Sequence, residues 1–330
     1  MRIKILGAGS WGTALSLLLY YNGHNVSLWS WDGDHVEALL KDGENKVFLP
    51  GVALPPDLLI SKHISGVKSA ELVVFSVPSP AIKSVAEQAA EFIRPHTVLV
   101  SAAKGFVPGG HSRISEVLRQ IFPNNPVVTL SGPSHAEEVA RNLPTTVVVA
   151  GDDPEALQVV QDTFMSSAFR VYTNNDIIGV EVAGAVKNII ALGAGVIDGL
   201  GQGDNAKAAL ITRGLAEITR LGVAMGANPA TFSGLAGIGD LVVTCTSHHS
   251  RNYRAGREIG HGRPWNQVVD DMAMVVEGVY ATEAAYHLAE KYHVDMPITD
   301  QIYHMLYEGR SPREAMWALM TRAKAAEEIY

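Results

Sequence analysis

One cysteine in 330 residues, Cys245, leaves no partner for an internal disulfide. That scarcity agrees with a reducing setting, so a cytoplasmic location is expected. Long apolar runs are also missing. Stretches such as LSLLLYY fall far short of the ~20 residues that cross a membrane, and Met1 leads straight into RIKILGAG with no signal-peptide core behind it. Neither a leader nor a membrane span is therefore expected. Excess positive charge is absent too: 26 Lys and Arg against 34 Asp and Glu give a net charge of −8, which argues against a general affinity for nucleic acid or anionic membrane. Any anionic ligand must be held by a local cluster of donors. Short repeats and low-complexity tracts are not found.

What is present is a chain 47% apolar and 18% charged, long enough for two buried cores. In its first half RIKIL, NVSLW, ELVVFSV, TVLVSA, PVVTLSG and TTVVVA read as strands between helical stretches, the pattern of parallel βαβ units. Ser79-Pro80 and Asp153-Pro154 each offer a cap followed by proline at the first helical position, and Ser134 with Glu137 suggests a capping box. From about Asn175 strand-like runs give way to Ala/Gly/Leu-rich helical segments, the last opened by the capping box SPRE, Ser311 to Glu314.

The most specific local signal is ILGAGSWGTALSLLL, which sets Gly7-x-Gly9-x-x-Gly12 directly between a strand and a helix. Gly7 permits the tight turn, Gly9 lets a pyrophosphate approach the backbone, Gly12 lets the helix pack on the strand, and the free amides of the first helical turn face the phosphates. The expected fold class is α/β: an N-terminal Rossmann-type dinucleotide-binding domain over residues 1–175, then an all-α domain over 176–330, with the boundary near Tyr172 to Asp176. The second strand ends in Ser30 and Trp31 with Asp32 slightly late, so neither the acid that favours NAD nor the arginine that favours NADP stands at its tip.

Other candidates sit at strand ends and in one helix. Lys104 follows a strand among the small residues Ala102, Ala103 and Gly105, and the amides around Gly132 to Ala136 face the same crevice. The segment GVEVAGAVKNIIALGAGVIDG is apolar on nearly every side yet carries Lys187 and Asn188; Gly184, Lys187, Asn188, Ala191 and Gly195 form one face of small residues around a polar pair, suited to close approach by a ligand. So buried a lysine requires a carboxylate or a site. Cys245 and His248 have a zinc-like spacing, but no second pair accompanies them, and His248 and His249 would point opposite ways in a strand. No metal is expected, and Cys245 reads as a buried thiol rather than a nucleophile.

Taken in order, GAGSWGTAL, NKVFLPGVALP, FSVPS, SAAKGF, LSGPSHAEEVA, EVAGAVKNIIALGAGVIDGLG, GIGDLVVTCTSHHSRNYRAGREIG and VVEGVYAT resemble the bacterial NAD(P)-dependent glycerol-3-phosphate dehydrogenases, from Gly7 to about Thr282. The resemblance implies a C-terminal domain like that of 6-phosphogluconate dehydrogenase, NAD or NADP as cofactor, and reduction of dihydroxyacetone phosphate to sn-glycerol 3-phosphate for phospholipid synthesis. It makes Lys187 the proton donor in reduction, with Asp240 and Lys104 as further catalytic residues. Lys104, Gly132, Ser134, Lys187, Asp240, Ser250, Arg251 and Asn252 would line the substrate. Gly7, Gly9, Ser10, Trp11, Gly12, Trp31, Lys104, Ala136, Arg251, Val275 and Glu277 would hold the dinucleotide. Trp31 stands where relatives commonly carry a basic or polar residue, and a homodimer is implied. Ser250 reads as the cap of a helix whose first amides, with the Arg251 guanidinium, make a phosphate clamp. The competing readings are a 3-hydroxyacid or phosphogluconate-type dehydrogenase and a non-catalytic NAD(P) sensor.

Overall fold

The six β-branched runs all fold as strands, and four further strands join them in the computed structural model, which describes residues 1–272, 274–324 and 326–327. In chain order they are β1 (Arg2–Leu6), β2 (Asn25–Trp29), β3 (Leu59–Ser61), β4 (Leu72–Phe75), β5 (Val98–Ser101), β6 (Phe106–Val107), β7 (Ser112–Arg113), β8 (Val127–Ser131), β9 (Thr145–Ala150) and β10 (Phe169–Asn174). Eight form one sheet in the order β10-β9-β8-β5-β4-β1-β2-β3, while β6 and β7 make a separate hairpin. The chain reverses its direction of travel across the sheet between β1 and β4, and ligands of such sheets bind at the carboxyl ends beside that point.

Alternation within single strands puts apolar side chains on both faces. Ile3 and Ile5 join one core with Leu72, Val74, Val98 and Val100, whereas Leu6 joins the other with Val73, Phe75 and Leu99. A strand buried on both faces must be apolar throughout, which is why these runs lack polar alternation.

The sheet departs from the purely parallel pattern in one place. β9 pairs with β8 antiparallel, and β10 follows β9 in parallel. Between β8 and β9 lies only the one-turn helix Ala136–Val139, too short to carry the chain back along the sheet for a parallel return. β10 is a half-exposed edge strand, with Phe169 and Val171 inward and Arg170 and Tyr172 outward. The capping expectations divide likewise. Asp153 accepts from the amides of Glu155 and Ala156 with Pro154 at the first helical position, and Ser311 and Glu314 exchange both bonds of the capping box. Ser134 instead donates to the Gly132 carbonyl and leaves the cap position to His135, and Ser79 opens a 3₁₀ turn capped by Pro78.

Two compact units result: residues 1–107 with 112–177, and residues 108–111 with 178–330. The second is helical, built around Ile177–Gly199. By length and hydropathy that helix could cross a membrane, contrary to the expectation from contiguous apolar runs, but 94% of its most apolar window is buried inside the protein. Its Ile, Val, Leu and Ala residues raise the mean hydropathy, while the interspersed Gly and polar residues keep the run from being unbroken.

Candidate active site

In the first unit the glycine loop leaves β1 at the β4 side. Gly7 has φ +118°, and a Cβ there would lie 2.9 Å from the backbone of Ser76 and Val77, so only glycine makes this turn. A Cβ on Gly12 would sit 1.8 Å from the Gly7 carbonyl oxygen, which is the close helix-to-strand packing expected of the third glycine. On Gly9 a Cβ would meet nothing within 4 Å, so the loop faces open space there, and Gly9 caps the helix Ser10–Tyr21 whose first amides have no intrahelical acceptor. Trp11 Nε1 is buried and has no hydrogen-bond partner among the described residues. An open backbone at Gly9 and helix amides free of intrahelical acceptors fit a dinucleotide pyrophosphate.

Asn45, missed in the sequence, holds this loop. Its buried carboxamide donates to the Ala8 carbonyl at 3.0 Å and to Thr13 Oγ1 at 2.8 Å, and accepts from the Phe48 amide at 3.2 Å. At the end of β2, Trp31 is 80% exposed, while Asp32 Oδ1 accepts from the amides of Asp34 and His35 as the cap of Gly33–Asp42. The late acid is thus a helix cap. Lys104, Gly132 and Ser134 are brought together: Lys104 Nζ donates to the Gly132 carbonyl at 2.9 Å and lies 3.5 Å from Ser134 Oγ. Ala136 opens its one-turn helix two residues further on.

The second unit justifies its buried lysine. Lys187, 4% exposed, donates from Nζ to Asp240 Oδ1 and, at 2.8 Å, to Thr244 Oγ1; Asp240 is 1% exposed. Thr244 in turn donates to the Asp240 carbonyl. Asp240 and Thr244 are one turn apart on the helix Asp240–Thr246, so a single helical face presents a carboxylate and a hydroxyl to one ammonium. That i,i+4 spacing is the signal through which Thr244 was discoverable. The arrangement keeps a cation charged and aimed where water is scarce.

Ser250 caps Arg251–Gly260 by accepting from the Tyr253 amide, as expected. Arg251 Nη1 donates to the Val275 carbonyl at 3.0 Å, bringing together two residues of the expected cofactor set, and Glu277 opens the helix Glu277–Tyr292 just beyond. Asn252 ties three elements: Nδ2 donates to Asn188 Oδ1 and Oδ1 accepts from the Gly278 amide, each at 2.9 Å. The small-residue face is therefore occupied at Asn188 and Gly195 by protein, since a Cβ on Gly195 would lie 2.0 Å from the Tyr253 carbonyl oxygen. At those positions close approach serves helix packing rather than a ligand.

Cys245 lies inside Asp240–Thr246, fully buried, and burial pushes its thiol up to about 12. His248 is not in a strand; its ring packs edge-on against Tyr253 at 5.8 Å. No group of three or more His, Cys, Asp or Glu side chains suited to a metal occurs among the described residues.

Comparison with known proteins covers both units. The family described as "NAD-dependent glycerol-3-phosphate dehydrogenase N-terminus" matches residues 2–157, and "NAD-dependent glycerol-3-phosphate dehydrogenase C-terminus" matches 176–317. The glycerol-3-phosphate dehydrogenase [NAD(P)+] of Desulfitobacterium hafniense is 52% identical over 99% of this chain and 93% of its own, and that of Geobacillus thermodenitrificans is 52% identical over 98% and 96%. The crystal structure of glycerol-3-phosphate dehydrogenase from Coxiella burnetii superposes with a TM-score of 0.94 at 39% identity, covering 97% of this chain and 99% of that one.

Proposed function

Since the chain belongs to the NAD-dependent glycerol-3-phosphate dehydrogenase family, we propose that Lys187, Asp240 and the Ser250–Arg251–Asn252 clamp are the parts of its second unit that carry the reaction. The protein is an NAD(P)-dependent oxidoreductase that reduces dihydroxyacetone phosphate to glycerol 3-phosphate. When bound, the nicotinamide supplies the hydride that reaches carbon 2. Charge then builds on the ketone oxygen, and a positioned cation that also gives up a proton answers both needs. Lys187 Nζ is that group; Asp240 holds it ionised, and Thr244 restricts its direction. The observation that carries this assignment is a lysine only 4% exposed whose carboxylate partner is buried with it.

The amides at the start of Arg251–Gly260 and the Arg251 guanidinium bind the phosphate dianion. Asn252 fixes that helix start against Asn188. In the first unit, Lys104 with Gly132 and Ser134 offers a second cationic contact for substrate. There Gly7, Gly9, Ser10, Trp11 and Gly12 hold the pyrophosphate, with Trp31 and Ala136 as further dinucleotide contacts; the family resemblance adds Val275 and Glu277 to the cofactor set. Residues 1–175 thus act as the dinucleotide domain and 176–330 as the substrate domain. The product is the sn-3 isomer, made in the cytoplasm for phospholipid synthesis by a homodimer; the single cysteine supports the location.

Loss of nicotinamide absorbance on adding dihydroxyacetone phosphate to protein and NADH or NADPH tests the activity. Lys187→Ala is expected to abolish turnover while dinucleotide binding persists. Near-normal turnover in that variant would remove Lys187 from the chemistry.

A further inference from the structure

Proton transfer at Lys187 and phosphate binding at Ser250 and Arg251 demand a fixed separation between the two, and the following inference rests on that reading. The helix Arg251–Gly260 packs against Ile177–Gly199 backbone to backbone. A Cβ on Gly195 or Gly199 would come within 2.0 Å or 2.3 Å of the carbonyl oxygens of Tyr253 and Arg257. In return, a Cβ on Gly256 or Gly260 would come within 1.9 Å or 2.5 Å of those of Leu192 and Val196. Each glycine pair is four residues apart, so each helix presents a glycine ridge to the other, and no larger residue fits.

Two polar ties bracket this crossing. Asn252 bonds Asn188 on one side. On the other, the half-buried hydroxyl of Tyr253 donates to Asp198 Oδ2, and Lys207 Nζ holds both oxygens of the same carboxylate at 2.8 and 2.9 Å. Asn188 and Asp198 lie about 15 Å apart along their helix, so the adjacent residues Asn252 and Tyr253 are pinned in opposite directions. The pinned turn carries the Ser250 cap, because Ser250 Oγ accepts from the Tyr253 amide.

We propose that Tyr253 is a positioning residue which, with the glycine crossing, sets the reach from the phosphate clamp to Lys187 and so selects a phosphate separated from the ketone by one oxymethylene unit. The clamp binds phosphate by itself; Tyr253 determines whether the ketone of a bound phosphate ester then meets the ammonium.

The test compares Tyr253→Phe with the parent on dihydroxyacetone phosphate, on unphosphorylated dihydroxyacetone, and with inorganic phosphate as competitive inhibitor. A misplaced but intact clamp lowers kcat/KM for the phosphate ester about tenfold, the scale of one lost hydrogen bond to a charged group. Activity on dihydroxyacetone and the Ki for inorganic phosphate should each stay within about twofold. An unchanged kcat/KM for the ester, an equal loss on dihydroxyacetone, or a parallel rise in Ki would each overturn the proposal. Gly256→Ala, if it folds, should show the same pattern with a larger loss. Arg251→Ala separates the two levels: if it leaves the KM for the ester and the Ki for phosphate unchanged, the clamp reading itself fails, whereas a rise in both with an inert Tyr253→Phe sinks only the positioning role.

Discussion

Replacing Asp240 by Asn changes one charge and almost no volume, at a side chain 2% exposed and bonded to a lysine side chain 5% exposed. Removing one charge of so buried a pair costs about 3–5 kcal/mol, because the remaining charge is left without compensation. Lys187 escapes that cost by losing its proton. Its proton affinity should therefore fall, because burial disfavours the charged form once the carboxylate is gone. Thr244 still accepts from the amine, so the group remains aimed while its charge becomes conditional on pH. If Lys187 donates the proton as proposed, reduction requires the ammonium form, and the basic limb of kcat/KM for dihydroxyacetone phosphate should move toward acid. Profiles from about pH 6 to 10 at saturating reduced dinucleotide would read this displacement. A uniform drop in rate with the basic limb unmoved would refute the argument, since Asp240 would then orient Lys187 without holding its proton.

Other perturbations test different links. Arg251→Ala removes the guanidinium of the proposed clamp and its bond to Val275, and should raise the KM for dihydroxyacetone phosphate by up to about 100-fold; an unchanged KM would exclude a phosphate contact. Gly9→Ala and Gly12→Ala should part company: the first adds a methyl to open space, leaving Tm nearly unchanged while weakening dinucleotide affinity, and the second drives a methyl into the Gly7 carbonyl oxygen and lowers Tm as well. Equal Tm losses would contradict the assigned glycine roles. Glu217 accepts from the amides of Ile298 and Thr299 in a fully buried position, and burial pushes its carboxyl up from 4.5 to about 7. A raised carboxyl favours the folded state below the unfolded value and loses that contribution as pH climbs through about 7, so this group's share, roughly 3 kcal/mol at most, should decline between those limits. Denaturant titrations of Glu217→Gln should lack that component of the slope, and an identical pH dependence would remove Glu217 as its source.

The sheet was legible where its strands are buried on both faces, because continuous β-branched runs have few alternatives. β10 was not: FRVYTN alternates inward Phe169 and Val171 with outward Arg170 and Tyr172, a weaker signal lying where the texture of the chain changes. The reversal of β9 depended on the length of the Ala136–Val139 turn, which the capping box expected at Ser134 does not reveal. Asp32 shows the same competition on a smaller scale. A ribose contact and a helix cap both call for a carboxylate just after a strand, and backbone amides two and three residues away are its immediate partners.

Lys187 was legible for a different reason, since a lone cation in an apolar helix states an energetic demand that only a carboxylate or a ligand can meet. Asp240 meets it, and Thr244 follows from the helical spacing once Asp240 is placed. The face of Gly184, Lys187, Asn188, Ala191 and Gly195 states a demand as well, but an ambiguous one. Small side chains announce that something comes close, and periodicity does not say what. At Asn188 and Gly195 the visitor is the helix that carries Ser250 and Arg251. Small residues on the lysine helix thus hold the start of Arg251–Gly260 against it, and if that start binds phosphate as proposed, their substitution should appear in recognition of the phosphate ester before it appears in the chemistry of the ketone.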